Sequence, residues 1–195
     1  KEARVTYQND LELYEKNKST YEREMENLRT DIANQQEYLD HSIWINMSPY
    51  DVCEARADLF VSTGYQIMPG MEYQNRDNTD TILQAYQSLL TSSAVLEDVA
   101  KQVKTEPRYL EELVEVTIGA NLDGQLNRML TIDVKHTTKE DAKKVLDAFL
   151  AHVDDMHDQI ATSIGEHTVS IVNESVSALV NLDLADLQRQ QTEKL

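Results

Sequence analysis

Tyr7, Leu11, Tyr14, Lys18, Tyr21, Met25, Leu28, Ile32, Gln35 and Leu39 follow one another at alternating intervals of four and three residues. That spacing is a heptad seam, the signature of a helix that packs along its length against another helix. With Leu11 at position a, Tyr14, Tyr21 and Leu28 occupy d, and the intervening positions are mostly Glu, Asn, Arg and Gln. At a rise of 1.5 Å per residue, about 35 residues make a rod of roughly 50 Å, too long to bury on a small domain. Part of it must project. Tyr at d positions, with Lys18 and Gln35 inside the seam, does not make a self-sufficient leucine zipper, so this helix calls for a partner.

The C-terminal end offers one. Leu179, Leu182, Leu184, Leu187 and Leu195 lie among Asp, Gln, Arg and Glu, and Asp183 and Asp186 suit a first helical turn. The expected architecture is an antiparallel coiled-coil stalk. In it Tyr7, Leu11, Tyr14, Tyr21, Met25, Leu28, Ile32 and Leu39 pack against Leu182, Leu184 and Leu187. Three parts follow: residues 1–41 as the N-terminal coiled-coil helix, 42–178 as an α+β domain, and 179–195 as the C-terminal stalk helix.

Charge narrows the partners. The net charge is −17, and residues 1–40 hold 6 basic and 10 acidic side chains, so most of the excess sits in the remainder. Binding through phosphodiester backbones needs clustered Lys and Arg, so nucleic acid is not an expected partner. Anionic lipid headgroups repel such a surface too, so the folded part should stand off a membrane. The single Cys53 excludes an internal disulfide and a cysteine zinc cage. It reads as a small semi-buried apolar side chain. No run approaches the ~20 apolar residues of a membrane span. The chain starts at Lys1 without Met, as expected for a segment cut from a longer protein.

Between the two helical ends the pattern changes. Ala55, Ala57, Leu59 and Val61 alternate with Arg56, Asp58, Phe60 and Ser62, a strand stopped at Gly64, and Pro69-Gly70 marks a turn. Asp77 or Thr79 can cap a helix with Ile82, Leu83, Tyr86, Leu89 and Leu90 on one face. Ser92-Ser93 interrupts it, and Val95, Leu96, Val99 and Val103 resume it. Pro107 opens a short helix. Val114, Val116 and Ile118 form a second strand, Gly119–Gly124 a loop, and Leu130, Ile132 and Val134 a third strand. Thr138 caps a long helix with Ala142, Val145, Leu146, Phe149, Val153, Met156, Ile160 and Ile164 on one stripe, ended by Gly165. Thr168–Val172 reads as a fourth strand. The expected fold is therefore α+β: a small mixed β-sheet packed by helices, flanked by the long N- and C-terminal helices.

Sequence motifs for chemistry are weak. His152 and His157 are five residues apart and cannot share a helix face, so with Asp155 and Asp158 they read as a solvated acidic face rather than a metal site. Asp77, Asn78 and Asp80 lack the Gly and terminal Glu of a calcium loop and read as helix capping. No nucleophile elbow, phosphate loop or dinucleotide fingerprint occurs. With 35 acidic residues, carboxylate pairs of the glycosidase kind arise by chance. No catalytic residue, metal or cofactor is expected. Trp44 and Tyr50 read as a joint that packs the stalk against the domain, in preference to a sugar-stacking platform.

Two segments carry a resemblance. Leu130–Leu150, LTIDVKHTTKEDAKKVLDAFL, resembles the strand, polar turn and long helix of Wzz-type chain-length determinant proteins. Ser88–Ala100, SLLTSSAVLEDVA, is similar to that family's preceding helix. The strand at Ala55–Val61 comes before it in the expected order, and residues 55–175 are covered in all. The resemblance implies the extracytoplasmic domain of a non-enzymatic polysaccharide co-polymerase, held at the cell membrane by helices on either side. Such a protein would form homo-oligomers and set the length of capsule, exopolysaccharide or O-antigen chains made by a membrane-embedded polymerase. In a Gram-positive-like subgroup it would also serve a cytoplasmic tyrosine kinase. Two features depart from the family: the ~40-residue stalk before the first strand, and the lack of Pro after Pro107. The alternative reading is a ligand-sensing ectodomain between two membrane helices, signalling through the coiled coil; a glycan-acting enzyme is a third.

Overall fold

The computed structural model describes residues 2–65, 69–70, 77–121 and 126–193. The chain divides into two compact units, residues 1–42 and 43–195. The first unit is one helix, α1 (Glu2–His41). Its sequence contains no Gly or Pro and is rich in Glu, Gln, Leu and Arg, which lose little rotamer freedom in a helix. Exposed i,i+3 and i,i+4 pairs such as Lys18–Glu22 and Glu26–Arg29 line its surface. Each contributes only a few tenths of a kcal/mol.

The second unit runs α2 (Ile43–Asn46), β1 (Val52–Thr63), α3 (Thr79–Leu90), α4 (Ser93–Val103), α5 (Pro107–Glu111), β2 (Val114–Ala120), β3 (Leu126–His136), α6 (Lys139–Ser163), β4 (His167–Leu179) and α7 (Leu182–Glu193). The four strands form one sheet in the order β2-β3-β1-β4. Every neighbouring pair is antiparallel, so the expected mixed sheet is corrected to a fully antiparallel one. The reason lies in the connections. The helical links join β1 to β2 and β3 to β4 and return the chain to the end where each strand began, so those pairs run parallel, but in the order β2-β3-β1-β4 neither pair is adjacent. Alternation by itself fixes a strand's faces and not its direction or its neighbours.

Alternation does decide the core. Ala55, Ala57, Leu59 and Val61 of β1 are buried, and their partners Val134, Ile132 and Leu130 on β3 are fully buried. Helices α3, α4 and α6 lay their apolar stripes over this face, burying Ile82, Leu83, Tyr86 and Leu90, then Val99, then Val145, Leu146, Phe149, Val153 and Ile160. Thr138 caps α6 as its sequence implies: its hydroxyl accepts the Asp141 amide at 3.1 Å and donates to the Asp141 carboxylate at 2.7 Å. Lys143 then pairs with Asp147 and, at 2.7 Å, with Glu174, which ties α6 to β4. A second, smaller core of Met47, Val52, Leu113 and Leu184 gathers α2, α7 and the ends of β1 and β2.

Three boundaries differ from expectation. Strand β4 runs through Leu179 instead of stopping at Val172, and α7 starts only at Leu182. β4 is an edge strand. Residues 173–178 offer Val176 as their one large apolar side chain, too little to mark a hydrophobic alternation, yet they pair with β1 all the way to Val52↔Leu179. A register shift beside Asp58 and Leu59 leaves Val172 unpaired. Gly119 belongs to β2 rather than to the following loop, whose Gly124 lies outside the described residues, as does Leu195.

The sheet face turned away from the helices carries a polar network. Asp58 Oδ1 accepts Arg56 Nε at 3.0 Å and the Thr131 hydroxyl at 2.7 Å, and its Oδ2 accepts Asn173 Nδ2 at 2.9 Å. Burial pushes the Asp58 carboxyl up, but these donors from Asn173, Arg56 and Thr131 outweigh it and hold the group below the usual carboxylate range. Its contribution is thus present above the unfolded-state pKa and lost as pH falls through the lower folded value. Asp58→Ala is expected to cost about 1–3 kcal/mol at neutral pH, because Arg56, Thr131 and Asn173 lose their common acceptor. In urea titrations the difference from wild type should shrink below pH 4. A difference that is constant with pH would exclude this role for the carboxylate.

Candidate functional site

Helix α1 presents the most distinctive surface. Tyr7, Tyr14, Tyr21, Leu28 and Ile32 are all more than half exposed, and Leu11 and Met25 are exposed too. Monomeric proteins rarely leave so many large apolar side chains in a row uncovered. Leu39 is half-buried.

Their spacing of three and four places them along one face of the helix. Tyr14, Lys18, Tyr21 and Met25 frame an open depression, bounded further by Asn17, Glu22, Glu26 and Arg29. All eight residues belong to one helix, so it encloses nothing by itself. A four-residue frame of this kind has the form of the hole that takes a knob in paired helices. Lys18 reaches Glu22 at 3.9 Å, which turns its charge toward the flank of the seam.

The three leucines named for the C-terminal half of the stalk are not equivalent. Leu182 is 64% exposed, Leu187 is half-buried, and Leu184 is 1% exposed in the small core with Met47, Val52 and Leu113. Leu184 thus serves the second unit. Two hydrogen bonds from Gln188 Nε2 to the Ile45 and Met47 carbonyls, at 2.7 and 2.8 Å, fix α7 against α2. Asn181 opens α7 by accepting the Leu184 amide at 3.0 Å. Trp44 is half-buried against the same core, whereas Tyr50 is 71% exposed.

No family model and no curated protein matches the chain. Among solved structures it aligns with AtUAH in complex with glyoxylate at 13% identity, and with (S)-hydroxyglycine at 14%. Each alignment covers 73% of this chain and has a TM-score of 0.30. The chain spans about a third of the length of those structures. Likeness at this level transfers nothing to the residues of this chain.

The titratable side chains weighed in the sequence point to different neighbours. His152 Nε2 lies 3.2 Å from Asp98 Oδ2 on α4. His157 Nε2 donates to the His167 carbonyl at 3.0 Å. That backbone bond, with help from Asp158, raises the His157 pKa. His167 is buried, its Nδ1–H donating to the Gly165 carbonyl at 2.9 Å while its Nε2 accepts the Tyr86 hydroxyl at 2.8 Å. Burial, reinforced by the Asp154 charge, pushes Tyr86 up to about 12. Sequence reasoning passed over the Tyr86–His167 pair, which joins residues 81 apart. It closes the turn after α6 onto α3 as a satisfied buried pair. Among the described residues no group of three or more His, Cys, Asp or Glu is placed to hold a metal ion. Asp77 and Asn78 act as capping and bridging groups. Asp77 Oδ1 accepts the Thr79 amide at 3.0 Å, and Asn78 Nδ2 donates to the Ile164 carbonyl at 3.2 Å. Among the described residues no helix is long and apolar enough to cross a membrane.

Proposed function

We propose that this chain is the extracytoplasmic domain of a membrane-anchored polysaccharide co-polymerase, a non-enzymatic protein that regulates the chain length or export of a surface polysaccharide. What supports the reading is the order of the two resembling segments. Ser88–Ala100 spans the end of α3 and most of α4, and Leu130–Leu150 is the β3, Thr138 cap and α6 succession, in that sequence along one chain. The exposed seam of α1 supports the oligomeric part of it.

In this reading α1 is a coiled-coil stalk that sets the height of the domain over the membrane. Helices of neighbouring copies cover its seam. The other partners are the membrane-embedded polymerase and, through segments on the cytoplasmic side, a tyrosine kinase.

Deleting the gene in its native host is expected to shift the length distribution of surface polysaccharide on gels. The protein solubilised from membranes should migrate as an oligomer. A monomer in membranes together with an unchanged length distribution would sink the proposal.

A further inference from the structure

In a chain with 18 basic and 35 acidic side chains, one cavity gathers positive charge. It measures 190 Å³ and lies where the end of α4, the end of β3 and the first turns of α6 converge. Lys104, Lys144 and His136 line it, with Asp141 as the one acidic group and Leu110 and Leu113 in its apolar wall. Lys104 and Lys144 form no ion pair among the described residues, whereas the adjacent Lys143 is held by two carboxylates. Their charges are uncommitted.

The histidine adds a directed donor. His136 Nδ1 accepts the Thr137 amide at 2.9 Å, which assigns the ring proton to Nε2. No described residue accepts from that Nε2–H. The ring is 15% exposed, and burial holds its pKa below the ordinary value, so it enters the cavity uncharged. Asp141 is occupied elsewhere, its Oδ2 taking the Thr138 hydroxyl at 2.7 Å and standing 3.8 Å from His136 Nδ1.

The two helix ends act in opposite senses, and the α4 end is partly quenched. The cavity borders the amide end of the 25-residue α6, where backbone dipoles favour negative charge. At the carbonyl end of α4, the Ala100 carbonyl is already taken by the Lys104 and Thr105 amides. Lys104 itself adopts a left-handed conformation, φ 63°, that Gly takes at less cost. At 190 Å³ the space is below the ~300–1,000 Å³ of sites that enclose a drug-sized ligand. It suits one compact anionic group with the remainder of a ligand outside.

We propose that this cavity binds the phosphate group of a phosphate monoester or of inorganic phosphate, between the Lys104 and Lys144 ammonium groups and with His136 Nε2–H as third donor. Paired lysines serve a tetrahedral polyanion as point charges, whereas a planar carboxylate is better matched by the guanidinium fork of Arg. The inference stands apart from the assembly of α1.

The test is an NMR titration of the whole chain with inorganic phosphate at fixed ionic strength, read on the five histidine rings. Saturable shifts confined to His136, with a rise in its pKa as phosphate binds, are the expected result. Lys144→Gln and Lys104→Gly should each weaken phosphate binding roughly fivefold or more, the loss of one nearby charge at surface dielectric. Lys104→Gly also relieves the left-handed backbone, so misfolding would not explain its loss. Lys101→Gln, the same charge removed from an exposed turn of α4, should leave binding within about twofold. Phosphatidylcholine vesicles doped with phosphatidic acid separate the sources: binding to free phosphate alone assigns a soluble ligand, and binding to both assigns a lipid phosphate headgroup. Unsaturable shifts on all histidines, equal competition by acetate, or undiminished binding by the Lys104→Gly/Lys144→Gln double variant would each overturn the site.

Discussion

Met25→Glu combined with Leu28→Glu is expected to abolish self-association of this chain while leaving the melting of residues 43–195 unchanged. Both side chains lie on the seam of α1, 53% and 56% exposed, and belong to a unit with its own internal contacts. In an assembled coil each would be buried, and full burial of a Met or Leu side chain is favourable by about 1.5–3 kcal/mol. Two positions on each of two chains bring the loss to on the order of 6 kcal/mol, about four powers of ten in Kd. Charge repulsion between facing glutamates adds to it. Helix propensity does not confound the experiment, since Glu forms helix about as well as Met and Leu. Sedimentation of wild type and variant across a concentration series measures this directly. A wild-type chain that is monomeric throughout, or a variant of unchanged mass, rules out the seam as an assembly surface.

Helix α1 and its row of exposed apolar side chains were legible in the sequence because heptad spacing is local: every residue that defines the row lies within four of the next. The same holds for the stripes of α3, α4 and α6 and for the Thr138 cap, where side chains three and four apart share a face. Edge strand β4 was legible only in its first half. Val169 and Ile171 alternate with polar residues, but Asn173 to Ala178 carry no apolar period, and their strand conformation comes from pairing with β1 more than 100 residues earlier. Strand direction was illegible for a related reason, since alternation is the same read forwards or backwards. Leu184 looked interchangeable with Leu182 and Leu187, and only the fold reveals that it fills the core with Met47 and Val52. The cationic cavity was the least legible feature. Lys104, His136 and Lys144 come from three elements, and none sits in a motif.

Phe149→Ala is the largest single-residue loss expected in the sheet domain. Phe149 is fully buried on α6, in the core with Leu146, Val153 and the β1 and β3 residues beneath them. Removing a buried Phe side chain costs about 3–5 kcal/mol, against a total stability of some 5–15 kcal/mol for a domain. Where in that range the cost falls depends on whether the void stays closed. Phe149 also lines a 250 Å³ cleft with Leu90, Leu96, Val114 and Val116, which is open to solvent on one side. Truncation therefore enlarges an existing opening instead of creating a sealed void, and water enters where packing contacts are lost. That removes part of the cavity penalty and places the cost near the lower end, about 3 kcal/mol. For a unit of this size the melting midpoint should fall by about 6–12 °C. Phe149→Leu, which keeps most of the volume, should cost less than about 1.5 kcal/mol. Because α1 is a separate unit, far-UV circular dichroism should retain its helical signal while the near-UV signal of the domain melts early. Equal losses for the Ala and Leu variants would mean that ring packing, not volume, holds α6 to the sheet.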